Sequence, residues 1–262
     1  MAMAGALLPV TVACSGSHPS ASSAAVSPES PDRAGGPSPG GSAAGTSARS
    51  AVTGPVGVRH SLGGYQPLWP FADEAEARAW QESYHSGGHQ PWHLDADQTA
   101  LAFVRFLGFG EIDRVTSRTV RAADARVTVG YRSGETGESG TAAVLHLVRI
   151  GSAADAPWEV VGTDDTDLSL TTPAYGARVS SPLSVGGKIT GVDESIRVEI
   201  RQRSTGAVLG RFCCIPAGGR NSAWSARVPF QGATDPVLTV VASTGGHLAA
   251  VERFAVTGVR SS

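Results

Sequence analysis

Ser195-Ile196-Arg197-Val198-Glu199-Ile200-Arg201-Gln202 alternates apolar and polar side chains without a break. A period of two puts Ile196, Val198 and Ile200 on one face of a strand and Arg197, Glu199 and Arg201 on the other. The stretch therefore reads as a strand with one face on a core. The same pattern recurs around it, in Trp224, Ala226, Val228 and Phe230 against Ser225 and Arg227, and the stretches Val237 to Ala242 and Val251 to Val256 complete the set of strands. Turn-forming clusters stand at Gly191-Val192-Asp193-Glu194, Ser204-Thr205-Gly206, Ala217-Gly218-Gly219 and Ser243-Thr244-Gly245-Gly246. Short strands at that spacing predict a β-sandwich of about seven strands over residues 171–262.

The landmarks in this region are Val179-Ser180-Ser181-Pro182-Leu183-Ser184-Val185-Gly186-Gly187-Lys188-Ile189-Thr190-Gly191, then Ile196 to Ile200, then Thr205-Gly206 before Val208-Leu209, then Trp224-Ser225-Ala226 and Phe230. In that order they resemble the immunoglobulin-like domain of bacterial spore germination proteins, over roughly residues 176–258. The resemblance implies an extracytoplasmic binding or scaffold domain and carries no catalytic motif. The family's usual companion module is not evident in residues 63–170, so a germination role does not follow.

Residues 63–170 read differently. An aromatic, proline-punctuated stretch holds Tyr65, Pro67, Trp69, Pro70 and Phe71. Asp73 followed three residues later by Glu76 predicts a capped helix start, with Ala77, Trp80 and Tyr84 inward and a stop before Gly87-Gly88. Asp95 and Gln98 predict a second helix whose wide apolar face holds Leu101, Phe103, Val104 and Leu107, ending near Gly108. Strands follow at Val127 to Tyr131, Ala142 to Ile150 and Trp158 to Val161, with a polar turn from Ser133 to Gly140. Two helices and then a three- or four-stranded antiparallel meander make a small α+β domain. The Thr171-Thr172-Pro173 step after Asp164-Asp165-Thr166-Asp167 marks its end.

The N-terminus reads as an address. Met1 to Ala13 is apolar and uncharged and is followed by Cys14. A short apolar stretch ending in small residues is a secretory h-region. Thr11-Val12-Ala13-Cys14 resembles a bacterial lipobox, which implies lipidation of Cys14. From Ser15 to Leu62, 36 of 48 residues are Ser, Gly, Ala, Pro or Thr. Such a segment buries too little apolar surface to offset its chain entropy, which predicts a disordered tether with a reach of roughly 40 Å. The expected whole is a multidomain envelope lipoprotein: a signal segment (1–14), a tether (15–62), an α+β domain (63–170) and an immunoglobulin-like sandwich (171–262), held on the outer face of the cytoplasmic membrane.

Charge sharpens the division. The 262 residues carry a net −2, which excludes a strongly basic nucleic-acid binder. Residues 63–170 carry −8, residues 171–262 carry +5 and the tether +1. Of the 21 cations only Lys188 is lysine, a codon bias of GC-rich bacterial genomes. The basic half suggests contact with an envelope protein or an anionic cell-wall polymer through Arg197, Arg201 and Arg203.

Chemistry-bearing candidates are few. His85, His89 and His93 recur every four residues, a spacing that lines one helix face and suits zinc. Gly87, Gly88 and Pro91 interrupt that helix, which leaves them weak metal candidates beside the aromatic wall of Trp92. Asp164, Asp165 and Asp167 lack a calcium-loop pattern. Cys213 and Cys214 are adjacent and are expected as buried or unpaired thiols. Glu135 and Glu138 sit in a Gly-rich turn, a poor place for rigid acid–base work. No nucleophile, phosphate-loop or zinc-protease motif occurs, so no catalytic residue and no cofactor are assigned. The expectation is a binding or scaffold protein. The alternative is a small-molecule-binding or enzymatic α+β domain walled by Trp69, Trp80, Trp92 and the His85 to His93 segment.

Overall fold

A computed structural model describes residues 62–134, 137 and 139–262. The signal segment, Cys14, almost all of the tether, and Glu135 and Glu138 lie outside the described residues. Both expected helices are present. In α1 (Glu74–Gly87), Asp73 Oδ1 accepts from the backbone N–H of Ala75 and of Glu76, each at 2.9 Å, and Glu76 reaches back to the N–H of Ala72 at 2.6 Å. These bonds satisfy donors that a helix start otherwise leaves open. Gly88, at φ 72°, closes the helix, because a left-handed residue there costs glycine nothing. Asp95 caps α2 (Ala96–Phe106) through the N–H of Gln98 at 2.9 Å.

The strands β1 (Arg114–Arg121), β2 (Asp124–Arg132), β3 (Ser139–Arg149) and β4 (Trp158–Asp164) form an antiparallel meander in the order β1-β2-β3-β4. The edge strand β1 reads Arg-Val-Thr-Ser-Arg-Thr-Val-Arg and is largely exposed, so no alternating apolar signal announces it. One face of the sheet packs Val127, Val129, Leu145, Leu147, Trp158 and Val160 against Phe103 and Val104 of α2 and against Leu107 just past its end. Val148, Ile150 and Val161 point to the opposite face and pack with Ala77 of α1 and Phe71.

The second sheet has five strands: β5 (Arg178–Val179), β6 (Leu183–Gln202), β7 (Val208–Val228), β8 (Val237–Thr244) and β9 (Arg253–Ser261), in the order β5-β9-β8-β6-β7. The described chain is thus mostly β, in two sheets with few helices. Two predicted turns are not turns. Gly191 to Glu194 lies inside β6 and Ala217 to Gly219 inside β7, where the pairing register shifts on either side of Gly191. Turn-forming residues serve there as bulges in one long hairpin, because a bulge needs the same unusual backbone as a turn. Asp193 and Asn221 accordingly have positive φ, each 54°. The turn at Ser204-Thr205-Gly206 is where the sequence places it, between β6 and β7.

β8 is buried along its whole length. Val237 and Val241, with Phe254 and Val256 of β9, join the core under the four-stranded sheet. Leu238, Val240 and Ala242, with Ala255 and Val259, join Ile196, Val198, Ile200 and Trp224 in a second core. These two strands therefore serve both cores, which is why Val237 to Ala242 reads as a continuous apolar run and does not alternate. Thr163 of β4 links the sheets by accepting from the N–H of Val256 at 2.9 Å.

Cys213 and Cys214 lie side by side on β7 and both are exposed. Their exposure corrects the expectation of buried thiols. β7 is an edge strand with β6 as its single sheet neighbour among the described residues, which leaves these positions open.

Candidate functional site: an aromatic slot

The strap Trp69-Pro70-Phe71 runs from the four-stranded sheet toward α1. The N–H of Val160 donates to Trp69 O at 2.8 Å, which lays the strap along the sheet edge at β4. Phe71 N donates to Glu159 Oε2 at 2.9 Å. Arg203, from the turn between β6 and β7, donates to Pro70 O at 3.1 Å and pairs with Glu76 of α1 at 3.2 Å. Sheet, helix and the far hairpin therefore fix one short segment.

On this strap sits an open slot of about 410 Å³, lined by Trp69, Phe71, Glu76, Trp80, Gln90, Trp92 and His93. Trp69 and Trp92 stack with centroids 5.4 Å apart and planes at 15°. Trp80 meets His93 edge-on, with centroids 5.0 Å apart and planes at 72°. His93 also lies against Phe71, at 4.9 Å. The short 3-10 turn Pro91–Leu94 carries Trp92 and His93 and is held by Thr99 Oγ1, which donates to Trp92 O at 3.2 Å.

The slot's polar chemistry is specific. His93 is 3% exposed, and burial pulls its pKa down to about 4, so its ring is neutral at physiological pH. Its Nε2 lies 3.2 Å from Gln90 Oε1. An amide oxygen only accepts, so Nε2 carries the hydrogen and Nδ1 presents a lone pair. That Nδ1 and the Trp80 indole N–H are both shut away from solvent behind the slot's wall, and neither has a hydrogen-bond partner among the described residues. Beneath the strap, Glu159 is fully buried. Desolvation drives its pKa well above the usual carboxylate range, against the lowering effect of the Phe71 and Trp69 backbone and of Arg203. Its Oε1 is likewise without a partner among the described residues.

The sequence candidates divide. Trp69, Trp80, Trp92 and His93 come together in the slot. His85 instead pairs with Asp155, and His89 is exposed. No group of three or more His, Cys, Asp or Glu among the described residues is arranged to hold a metal ion. Gly87, Gly88 and Pro91 set the three histidines on a helix end, a loop and a 3-10 turn. Of the arginines, Arg197 is exposed on β6. Arg201 is bound to Glu199 at 2.6 Å and Arg203 faces the strap. Asp164 pairs with Arg126 at 2.7 Å.

Glu159 was not a sequence candidate. Its signal is a lone carboxylate in the apolar run Trp158-Glu159-Val160-Val161, where a charged residue is rare unless it is held. A second cleft of about 410 Å³ lies where β4 meets β9 and the segment after it, and includes Tyr65, His146 and Tyr175. His146 Nε2 there contacts Asp124 Oδ2 at 2.7 Å. No helix among the described residues is long and apolar enough to cross a membrane. No protein-family model, no curated protein and no solved structure matches this chain.

Proposed function

We propose that this chain is an exported, lipid-anchored protein of the bacterial envelope that works by binding and not by catalysis, and that the aromatic slot is its binding site. In this reading Cys14 carries the lipid and the tether lifts the folded part off the membrane. The two-core body is the scaffold, with residues 171–262 as its immunoglobulin-like part. The observation that carries the reading is the slot itself: a concave surface of about 410 Å³ walled by Trp69, Phe71, Trp80, Trp92 and His93. Ligand sites commonly combine a mostly apolar concave surface with a few polar groups that fix orientation. The basic-face reading is weaker, because Arg201 and Arg203 already serve internal carboxylates and Glu199 also takes Arg211, at 2.8 Å.

Two experiments test this. Full-length protein is mixed with insoluble cell-wall polysaccharide and pelleted. Wild type is expected in the pellet, and Trp92→Ala is expected to bind at least about tenfold more weakly, the loss typical of an aromatic anchor. Equal pelleting of both removes the slot from the account. If Arg197→Glu/Arg201→Glu fails to pellet while Trp92→Ala pellets normally, the site is the basic face. For the anchor, Cys14→Ser is expected to leave the membrane fraction, and its retention there contradicts lipidation.

A further inference from the structure

We infer that the chain holds a second binding site, for an oxyanion: the phosphate or carboxylate group of a ligand larger than the ion itself, taken by Arg78, Arg121 and Arg149. The site is a cleft of about 690 Å³ where α1 meets the ends of β1 and β3. It shares no lining residue with the aromatic slot and does not rest on that reading.

Local structure brings the three guanidinium groups together. Arg78 stands in the second turn of α1, β1 ends on Arg121 and β3 ends on Arg149. The turn Ala122-Ala123 closes the β1–β2 hairpin and pairs Arg121 with Asp124. The N–H of Arg149 donates to Ala123 O at 2.9 Å, which clasps the end of β3 to that turn. Beside it Val148 and Ile150 pack with Ala77 of α1, which brings the helix alongside. The Arg149 side chain is itself held: it donates to Ala156 O, and its Cζ lies 4.5 Å from the centroid of the Trp158 ring. A guanidinium carries five N–H donors, so most of those of Arg149 remain unspent.

Charge gives the sign of the ligand. Residues 63–170 hold eight arginines among 16 carboxylates. Arg114, Arg118 and Arg126 pair with carboxylates. Arg78, Arg121 and Arg149 have no carboxylate partner among the described residues, and all three line this one cleft. In an acidic half, overall composition does not account for cations gathered in one place. Two carboxylates, Glu74 and Asp124, line the cleft with them. Asp124 is committed to Arg126 and His146, each at 2.7 Å. Three cations therefore face one uncommitted carboxylate, Glu74. Like charges so gathered repel, and a bound anion relieves that repulsion.

Geometry gives the class. A guanidinium is planar, and its N–H groups match the paired oxygens of a carboxylate or phosphate. Arg78 and Arg121 are exposed, so an incoming ligand reaches them without displacing any protein contact. Arg149 supplies a fixed group between them and the sheet. A cation meets three like charges here, and a neutral molecule leaves them uncompensated. A bare ion fills only a small part of about 690 Å³, and the remainder takes the body of an organic molecule.

The test is calorimetry on the full-length protein at low salt with four small probes: glucose 6-phosphate, gluconate, glucose and choline. At least one of the two anions is expected to bind with a Kd below about 1 mM, to exceed glucose and choline by about tenfold or more, and to weaken as sodium chloride is raised. The tighter of the two identifies the oxyanion. Arg78→Gln and Arg121→Gln are each expected to weaken that anion about tenfold. Urea unfolding is expected to stay unchanged in both, because these side chains are exposed and hold no carboxylate among the described residues. Glu74→Gln removes the competing carboxylate and is expected to tighten the anion. Arg227→Gln, exposed on β7 and outside the cleft, is expected to bind as wild type does. Absence of binding by both anions, equal binding of glucose, or an equal loss in Arg227→Gln overturns the site.

Discussion

Arg203 Nη1 lies 3.1 Å from the backbone oxygen of Pro70, across 133 positions of sequence. The same guanidinium pairs with Glu76 at 3.2 Å. A residue of the β6–β7 turn thereby holds the strap that forms the slot's floor. Glu76 is part-exposed, so the ion pair alone contributes little; the bond to Pro70 O is the more protected contact. Arg203→Met keeps most of the stem and removes both bonds. It is expected to cost about 1 kcal/mol in urea unfolding and to weaken ligand binding by loosening Trp69. Unchanged stability and unchanged binding would mean that the contact positions nothing.

His93 sets an acid limit. Its folded pKa is lowered to about 4 from an ordinary 6.5, so the folded state resists a proton that the unfolded chain accepts. Stability is therefore complete above about pH 6.5 and falls as pH drops toward 4, by at most about 1.4 kcal/mol per pH unit. Between pH 7 and pH 5 wild type is expected to lose about 2 kcal/mol that His93→Asn does not lose. Parallel urea midpoints for the two proteins across that range would contradict the buried neutral ring.

Glu159 acts at the other end. Its folded pKa is raised by burial, so the folded state keeps a proton that the unfolded chain releases. Its contribution is present below the unfolded carboxylate pKa and is lost as pH rises toward the folded value. Glu159→Gln stays neutral at every pH and retains an acceptor for the Phe71 N–H. The variant is expected to match wild type at pH 4 and to exceed it in thermal stability at pH 8. Glu159→Ala orphans that N–H and is expected to cost about 1–3 kcal/mol throughout.

Phe254 is 1% exposed and packs against Phe109, with ring centroids 5.3 Å apart and planes tilted by 59°. It lies on β9, whose other face builds the second core. Phe254→Ala is expected to cost about 3–5 kcal/mol, and the protein is expected to melt in one transition in which far-UV circular dichroism and tryptophan fluorescence coincide. Two separated transitions, of which the substitution shifts one, would show that the cores unfold independently.

Much of this architecture is legible in the sequence because it rests on local rules. Asp73 with Glu76, and Asp95 with Gln98, announce their helices by capping chemistry, and Ile196 to Ile200 announces a strand by period two. β1 is not legible, since a polar edge strand has no buried face to pattern. The continuity of β6 through Gly191 to Glu194 is also hidden, because a bulge and a turn ask for the same residues. At the slot, three tryptophans and His93 are visible as an aromatic cluster. The links from Arg203 to Pro70 and from Glu159 to Phe71 span 133 and 88 positions, and no local pattern encodes them.

The slot reading is tested most directly by the indole N–H resonances of the five tryptophans during titration with soluble fragments of cell-wall polysaccharide. Trp69, Trp80 and Trp92 line the slot, while Trp158 and Trp224 are buried in the two cores. The expected result is that the first three signals shift and that the Trp158 and Trp224 signals stay in place. Shifts confined to Trp158 or Trp224, or no shift at saturating fragment, would contradict it.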